Sequence, residues 1–275
     1  MKALITGANG QVAFELQRYA GERTITALTK EQLDITHPDT LIQSIRPDVV
    51  INTAAYTKVD DAEKNPELAF AVNRDGAKNL AIACEKMQCP LIHLSTDYVF
   101  DGQKQTPYLE EDLVMPLSIY GKSKWEGEEA VRDHCEKHII IRTSGVFGVQ
   151  GNNFVKTMLR LAKQNLKPRV INDQITCPTP ASDIAKMLWQ VCEKLTSVHE
   201  WGTYHFCATP AVSWYEFASN IIDAVESIPT TDYPLPATRP KYSVLDCQKI
   251  KKIFNIQQPN WQKGLKDVVD ELSTT

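Results

Sequence analysis

The chain has 275 residues, of which 43% are hydrophobic, 23% charged and 8% aromatic. This composition excludes fibrous and intrinsically disordered proteins, and no apolar run in it approaches the roughly 18 residues that a membrane-spanning helix needs. The formal net charge of -4 comes from 30 basic and 34 acidic residues without a clustered basic stripe. Neither a nucleic acid nor a membrane is therefore expected as a partner.

Cysteine usage and the first residues bear on location. The segment from Met1 to Gly7 contains no apolar stretch of signal-peptide length, so nothing in it predicts secretion. The seven cysteines are scattered and odd in number, which favours free thiols in a reducing cytoplasm. No metal site is predicted, and His93 and His205 lie in apolar runs that are typical of core histidines rather than of ligands. A cytoplasmic location is the resulting expectation.

Short apolar runs rich in β-branched residues alternate with helical stretches in the first half of the chain. Runs that are apolar at nearly every position predict strands covered on both faces of a parallel sheet. The predicted strands are 3–5, 24–28, 49–51, 91–94 and 139–141, and the predicted helices are 11–20, 38–45, 66–87 and 117–136. This alternation indicates an α/β, Rossmann-like doubly wound parallel sheet.

After about residue 144 the alternation fades and prolines become frequent, which indicates a smaller, helix-rich second lobe. A helix at 181–195 and a strand at 203–207 are expected to return to the main sheet, so the two lobes are interleaved. We predict a dinucleotide-binding domain made of residues 1–143 and 181–208, and a C-terminal substrate-binding lobe made of residues 144–180 and 209–275.

A glycine-containing turn directly follows the first predicted strand and precedes a helix. It reads Gly7-Ala8-Asn9-Gly10-Gln11-Val12-Ala13, a G-x-x-G-x-x-A pattern. Such a turn lets backbone N–H groups approach a pyrophosphate, and the helix N-terminus adds partial positive charge. The pattern favours a dinucleotide site over a turn that binds nothing.

The end of the second strand bears on the choice between NADPH and NADH. It reads Leu28-Thr29-Lys30, with no carboxylate where NAD-binding proteins hold the ribose 2′-hydroxyl. A hydroxyl followed by a cation suits the 2′-phosphate of NADPH, whereas Glu31 beside them opposes it. The sequence favours NADPH, with NADH as the alternative.

Tyr120 and Lys124 are four residues apart in a predicted helix, so their side chains project from one face. A lysine ammonium beside a tyrosine phenol stabilises the phenolate and lowers its pKa, which suits the tyrosine to acid–base chemistry. The pair alone is a weak signal, because chance occurrences are common. The glycine turn strengthens it, as does Thr96, which follows the fourth strand where ligands bind in such sheets.

These segments resemble the extended short-chain dehydrogenase/reductase family and, within it, the reductases of dTDP-4-dehydrorhamnose. The resemblance covers nearly the whole chain. It rests on Gly7–Gln11, Asp34–Thr36, Arg46–Asp48, Asn52–Thr57, Val59–Asp60, Glu63, Ser95–Phe100, Tyr120–Lys124, Arg142–Ser144, Gly151–Phe154, Asp173–Gln174 and Thr238–Pro240. It implies hydride transfer from NADPH to the C4 keto carbon of dTDP-4-dehydro-L-rhamnose, which yields dTDP-L-rhamnose for polysaccharide synthesis.

The resemblance also implies roles for individual residues. In the expected catalytic triad, Tyr120 donates a proton, Thr96 hydrogen-bonds the keto oxygen and Lys124 holds the nicotinamide ribose. The residues expected to contact the cofactor are Gly7, Asn9, Gly10, Gln11, Val12, Thr29, Lys30, Asp34, Ile35, Ala54, Ala55, Tyr56, Tyr120 and Lys124. Those expected to face the nucleotide-sugar are Thr96, Asp97, Tyr98, Asn153, Lys156 and Arg239, the last through two charge-assisted bonds to its diphosphate.

Gly145 departs from the family pattern, which carries tryptophan after Arg-Thr-Ser. The missing aromatic wall leaves open a reductase or a 4-epimerase of a related 4-keto-6-deoxy sugar. Dehydration is disfavoured, because Tyr98 stands where dehydratases of the superfamily carry glutamate. A non-catalytic, cofactor-binding regulatory subunit is a further alternative. Glu15 and Asp270–Glu271 resemble acidic positions through which some members form a magnesium-dependent homodimer.

Overall fold

The computed structural model describes residues 1–37, 41–195, 197 and 200–274. Its strands are β1 (Lys2–Thr6), β2 (Thr24–Leu28), β3 (Val49–Asn52), β4 (Leu91–Thr96), β5 (His138–Thr143), β6 (Val146–Phe147), β7 (Arg169–Ile171), β8 (Ile175–Thr176), β9 (Thr179–Pro180), β10 (Gly202–His205), β11 (Val212–Ser213) and β12 (Glu226–Ile228). Within these residues a six-stranded sheet has the order β10-β5-β4-β3-β1-β2, and its paired strands are all parallel. The α/β, doubly wound fold class and the predicted strands of the main sheet are confirmed.

Helices connect these strands. They are α1 (Gln11–Arg18), α2 (Leu41–Ile45), α3 (Val59–Ala62), α4 (Pro66–Phe70), α5 (Ala77–Met87), α6 (Ile119–His134), α7 (Phe154–Lys163), α8 (Ala181–Lys194), α9 (Trp214–Ser219), α10 (Gln248–Phe254) and α11 (Trp261–Ser273). A π-helical segment, Ala71–Gly76, joins α4 to α5, so the predicted helix 66–87 is helical throughout. Of the predicted helix 38–45, residues 38–40 lie outside the described residues.

The main sheet is covered on both faces, as its apolar strands require. Consecutive strand residues point to opposite faces, and β1 shows the result. Leu4 packs in a cluster with Leu80 and Val131 of α5 and α6, whereas Ile5 packs in another with Leu16 of α1 and residues of α8. A strand buried on both sides therefore needs no alternation of polar and apolar residues.

The remaining chain forms smaller structures around an aromatic cluster. Two-residue and three-residue strands pair as β6 with β9, β7 with β12 and β8 with β11. Phe147, Phe217 and Trp261 pack together with ring centroids 5.3 Å apart in each consecutive pair. The main-sheet strands all lie within 1–143 and 181–208, and the strands of these small sheets all lie within 144–180 and 209–275. None of the helices in the described part of the chain is both long and apolar enough to cross a membrane.

Candidate active site

A cavity of about 470 Å³ lies at the carboxyl ends of the main-sheet strands, where the strand order reverses between β1 and β3. Parallel α/β sheets bind ligands at this position. Of the residues predicted to contact the cofactor, those that line the cavity are Gly7, Asn9, Gly10, Gln11, Val12, Lys30, Asp34, Ile35, Ala54, Ala55, Tyr120 and Lys124. Thr29 and Tyr56, although predicted, do not line it.

The lining also contains residues that sequence reasoning did not assign to the cofactor. They are Glu31, Leu33, Thr53, Thr57, Val72, Leu94, Ser95, Thr143, Val146, Gly151 and Asn152. Ser95 and Thr143 stand at the carboxyl ends of β4 and β5, which is a signal that the strand pattern contains. Gly151 and Asn152 belong to a segment that carries the family resemblance, and only the folded chain brings them beside the glycine turn.

The glycine turn is shaped for close approach by a ligand. Gly7 has a positive φ of +72°, and a Cβ added there would lie 2.9 Å from the Cα of Ala54. The N–H of Gly10 donates to the carbonyl of Gly7 at 2.8 Å, and Gly10 precedes α1 without a side-chain cap. Backbone amides at an uncapped helix N-terminus suit a pyrophosphate, so the residues present fit a dinucleotide.

The segment after β2 presents one positively and one negatively charged side chain to the cavity. Lys30 and Glu31 line it, and a hydrogen bond from the Thr29 hydroxyl lowers the pKa of the Glu31 carboxyl. Asp34 uses Oδ1 to accept from the backbone and hydroxyl of Thr36, at 3.0 and 2.8 Å, which lowers its pKa. Lys30 is the cation of this segment in the cavity lining.

Tyr120 stands in the first turn of α6, which Ser118 caps by accepting from Gly121 N at 3.1 Å. A Cβ at Gly121 would lie 2.2 Å from the carbonyl oxygen of Tyr98, so only glycine lets α6 approach the segment after β4. That approach brings Tyr120 beside Thr96. Burial raises the pKa of Tyr120 to about 12, and the neighbouring Thr96 opposes this rise.

Lys124 lies one turn further along α6 but is directed at β4. Its Nζ donates to the carbonyl of Leu94 at 2.6 Å and lies 3.4 Å from Nε2 of His93. Burial lowers its pKa to about 8, against the attraction of Glu128. In this structure the Lys124 ammonium is held by β4 and burial governs the pKa of the Tyr120 phenol, so the lowering of that pKa by Lys124 stays a prediction.

A buried ion pair anchors α6 to β5. Glu128 accepts from Arg142 at 2.9 Å (Nε) and 2.7 Å (Nη2), and from Nη2 of Arg132 at 2.7 Å. Arg142 is 1% exposed and Glu128 fully buried, and the guanidinium charges lower the pKa of Glu128 despite its burial. The pair fixes the helix that carries Tyr120 and Lys124.

The residues predicted to face the sugar fall into two groups. Asp97 is buried behind Thr96, whose hydroxyl donates to its Oδ1 at 3.1 Å, and burial raises the pKa of Asp97 to about 7. Arg239 contacts Tyr98 and donates to both oxygens of Asp60, at 3.0 and 2.6 Å. Thr96, Asp97, Tyr98 and Arg239 thus lie together near Tyr120 but do not line the cavity. Asp60 is a partner of Arg239 that the sequence did not identify.

Asn153 and Lys156 occupy the start of α7 on the other side. Asn153 caps this helix by accepting from Lys156 N at 3.1 Å, and its Nδ2 donates to Gln11 Oε1 at 2.9 Å. Lys156 Nζ donates to the carbonyl of Val149 at 3.0 Å. Asn153 therefore ties α7 to the cofactor turn, which a linear motif does not reveal.

Gly145, the departure from the family pattern, has a physical reason in this chain. Its φ is +54°, and a Cβ there would lie 3.0 Å from the Cα of Pro178. A side chain would be strained at this backbone conformation and would crowd the neighbouring loop. The glycine and the loop around Pro178 are thus matched to each other.

The acidic residues that resemble a magnesium-dependent dimer contact, Glu15 and Asp270–Glu271, lie near basic side chains of the same chain. Arg18 Nη1 donates to both oxygens of Glu271, at 2.9 and 2.8 Å. Glu15 lies in the same group, and burial raises its pKa. Among the residues that the structure describes, no group of three or more His, Cys, Asp or Glu side chains is placed to hold a metal ion.

Comparisons with known proteins agree with this geometry. A family model described as RmlD substrate binding domain matches residues 1–274. A dTDP-4-dehydrorhamnose reductase of Aggregatibacter actinomycetemcomitans is 45% identical over 97% of this chain and 98% of its own. The spore coat polysaccharide biosynthesis protein SpsK of Bacillus subtilis is 40% identical over 99% of this chain and 98% of its own.

Solved structures give the same result. The crystal structure of dTDP-4-dehydrorhamnose reductase from Bacillus anthracis, in complex with NADP, has a TM-score of 0.92 and 38% identity, and covers 98% of this chain and 99% of that one. The resemblance drawn from the glycine turn and from the Tyr120–Lys124 segment is therefore confirmed over the full length. The chain belongs to the family of dTDP-4-dehydrorhamnose reductases.

Proposed function

We propose that this protein reduces the C4 keto group of dTDP-4-dehydro-L-rhamnose to give dTDP-L-rhamnose, with NADPH as the reductant. The observation that carries this proposal is the position of Tyr120 and Lys124 in the lining of a cavity that fits a dinucleotide. The names of the full-length relatives, and the NADP in the Bacillus anthracis structure, support the substrate and the cofactor.

Tyr120 acts as the proton donor in this proposal. With a pKa raised to about 12, its phenol carries its proton throughout the neutral range and is available to the keto oxygen. Thr96 hydrogen-bonds the same oxygen and stabilises the negative charge that develops on it. When bound, the nicotinamide supplies the hydride. One N–H of the Lys124 ammonium donates to the carbonyl of Leu94, which holds the ammonium in place. Its other N–H groups are proposed to donate to the nicotinamide ribose.

Each of the two lobes is proposed to bind one of the two ligands. Residues 1–143 and 181–208 hold the cofactor, and residues 144–180 and 209–275 hold the nucleotide-sugar, a division that the distribution of the strands supports. Thr29, Lys30 and Tyr56 belong to the proposed cofactor set, in which Lys30 meets the 2′-phosphate.

Arg239 is proposed to bind the sugar diphosphate. Asp60 occupies part of its guanidinium fork, and the remaining N–H groups are proposed to bind the diphosphate. Tyr98, Asp97, Asn153 and Lys156 complete the proposed substrate set, although the last two also support α7.

We further propose that the protein works in the cytoplasm as a homodimer. All seven cysteines are free and buried, which suits a reducing compartment. The dimer rests on the family resemblance alone, and light scattering on the purified protein measures it directly.

Consumption of NADPH tests the activity. Purified protein mixed with dTDP-4-dehydro-L-rhamnose is expected to oxidise one equivalent of NADPH, with the 4-hydroxy sugar identified by mass spectrometry and NADH compared in parallel. Tyr120→Phe keeps the ring and is expected to bind NADPH normally while losing about 10²- to 10⁴-fold in turnover. Tyr19→Phe, at a surface position, is the matched control and should keep wild-type turnover.

Two outcomes contradict the proposal. Wild-type turnover in Tyr120→Phe would refute the assigned proton donor. NADPH that binds but is not consumed would refute this substrate. The test would then turn to other 4-keto-6-deoxy nucleotide-sugars, since Gly145 stands where the family carries tryptophan, or to a regulatory role.

A further inference from the structure

A row of polar side chains crosses three strands of the main sheet and ends at Lys124. Thr6, Asn52 and His93 are register neighbours on β1, β3 and β4, and each is at most 1% exposed. Thr6 Oγ1 donates to Asn52 Oδ1 at 2.6 Å, Asn52 Nδ2 lies 2.8 Å from His93 Nδ1, and His93 Nε2 lies 3.4 Å from Lys124 Nζ. The proposed function uses only the last member of this row.

The backbone of Ala54 fixes the orientation of the Asn52 amide. The N–H of Ala54 can only donate, and it lies 3.1 Å from Asn52 Oδ1, so that atom is the carbonyl oxygen and Nδ2 faces His93. Since Nδ2 is also only a donor, Nδ1 of His93 accepts and carries no proton. Burial and the charge of Lys124 hold the pKa of His93 well below its usual range. The neutral ring therefore carries its proton on Nε2.

This tautomer places a donor opposite Lys124. The distance of 3.4 Å exceeds the usual range of an N–H hydrogen bond, as expected for two donors that face each other. The other tautomer would move the conflict to the Asn52–His93 contact, where the two donors would be only 2.8 Å apart. The tautomer with the proton on Nε2 therefore keeps the two facing donors further apart and is the lower in energy.

We propose that His93 is a positioning residue for the reduction, an inference that rests on the proposed function. Its Nε2–H offers Lys124 no acceptor, so the ammonium gives one N–H bond to Leu94 and directs the others at the cofactor cavity. The neighbour of His93 on the side away from Lys124 is the Asn52 amide, which does not pass a proton onward, so His93 orients Lys124 and is not part of a proton relay.

The same contact governs the protonation of Lys124. Facing an N–H, its ammonium loses a proton at lower pH than it would beside an acceptor. Glu128 on α6 acts in the opposite direction and favours the ammonium. Around His93, the charge of Arg132 adds to that of Lys124 in disfavouring a second ring proton, and His138 acts in the same direction when it is protonated.

Two substitutions present an acceptor to Lys124. In Asn52→Asp the carboxylate accepts from Nδ1–H, which frees Nε2 to accept. In His93→Gln the side-chain carbonyl accepts without any added charge. Loss of the Lys124 proton is expected to end activity on the alkaline side of the pH profile of kcat for NADPH oxidation. In both variants this alkaline limb is expected to move up by about one pH unit. Asn172→Asp adds a carboxylate at an exposed position and should leave the limb unchanged.

The tautomer itself is read by nitrogen-resolved NMR of the imidazole, with the His93 signals assigned by their loss in His93→Gln. Wild-type protein should show Nε2–H, and Asn52→Asp should show Nδ1–H. An Nδ1–H tautomer in the wild type, or an alkaline limb that stays in place in the folded variants, overturns the proposal. The spectrum needs no turnover, so an Nε2–H ring in a protein that reduces no 4-keto sugar refutes the proposed function while the geometry of His93 stands.

Discussion

Replacing Glu128 by glutamine is expected to destabilise the protein strongly. Glu128 is fully buried and neutralises Arg142, which is 1% exposed. A glutamine of the same shape leaves that guanidinium without its counter-charge and turns an amide N–H₂ towards other donors. Removing one partner of a buried ion pair costs about 3 to 5 kcal/mol. With an unfolding entropy of roughly 2.1 cal/mol/K per residue, that cost lowers the Tm of a chain of 275 residues by about 7 °C.

The neighbouring residue provides the control. Glu129 also pairs with Arg132 but is 50% exposed, so Glu129→Gln should change the stability by less than about 1 kcal/mol. Calorimetric scans of both variants measure the difference. A double variant in which Arg142→Met accompanies Glu128→Gln removes both charges and should recover part of the lost Tm. A Glu128→Gln protein that melts within a degree of Glu129→Gln would show that the buried pair is not what fixes α6 to β5.

Two further substitutions test the site. Gly7→Ala places a methyl group 2.9 Å from the Cα of Ala54 at a positive φ, which should weaken NADPH binding about tenfold in a fluorescence titration. The control is Gly21→Ala, which is also at a positive φ but has its nearest neighbour at 3.6 Å and should bind NADPH normally. Equal NADPH affinities of the two variants would contradict the role of the turn. The pKa of Asp97 is raised to about 7 in the folded protein, so its contribution to stability is complete below its unfolded pKa and is lost as the pH rises through 7. The Tm of Asp97→Asn relative to wild type should therefore increase from pH 5 to pH 8, and a constant difference would argue against a buried, neutral carboxyl.

The main sheet was predictable because its strands are buried on both faces and read as unbroken apolar runs. Val49 to Ile51 is such a run, and β3 begins with it. The small sheets were not predictable in the same way, since a strand of two residues such as Val146–Phe147 contains no period. The packing of surrounding side chains, such as that of Phe147 against Phe217, holds such a strand in place.

The site could be predicted in its parts but not in its connections. The glycine turn and the Tyr120–Lys124 spacing are local patterns, and both lie at the cavity. The bond between Asn153 and Gln11 joins residues 142 positions apart, and the pairing of Arg239 with Asp60 spans 179. Contacts of this kind depend on tertiary packing, and no spacing rule encodes them.

The face of the sheet under α5 and α6 shows how the fold places the catalytic helix. On each of four strands an apolar residue is followed two positions later, on the same face, by a polar one. The pairs are Leu4 and Thr6, Val50 and Asn52, Leu91 and His93, and Ile140 and Arg142. Because a buried polar group must find a partner, this layer at the carboxyl ends forms hydrogen bonds across the strands from Thr6 to His93 and, through Arg142, to Glu128 of α6. His93 in turn faces Lys124 of α6 at 3.4 Å. His93, which the apolar run marked as a core histidine, is indeed buried, but its neighbours in this layer make it part of the support for Lys124. A polar residue two positions after an apolar one, repeated at the ends of parallel strands, therefore indicates how the sheet supports α6, which the Tyr-x-x-x-Lys spacing alone does not show.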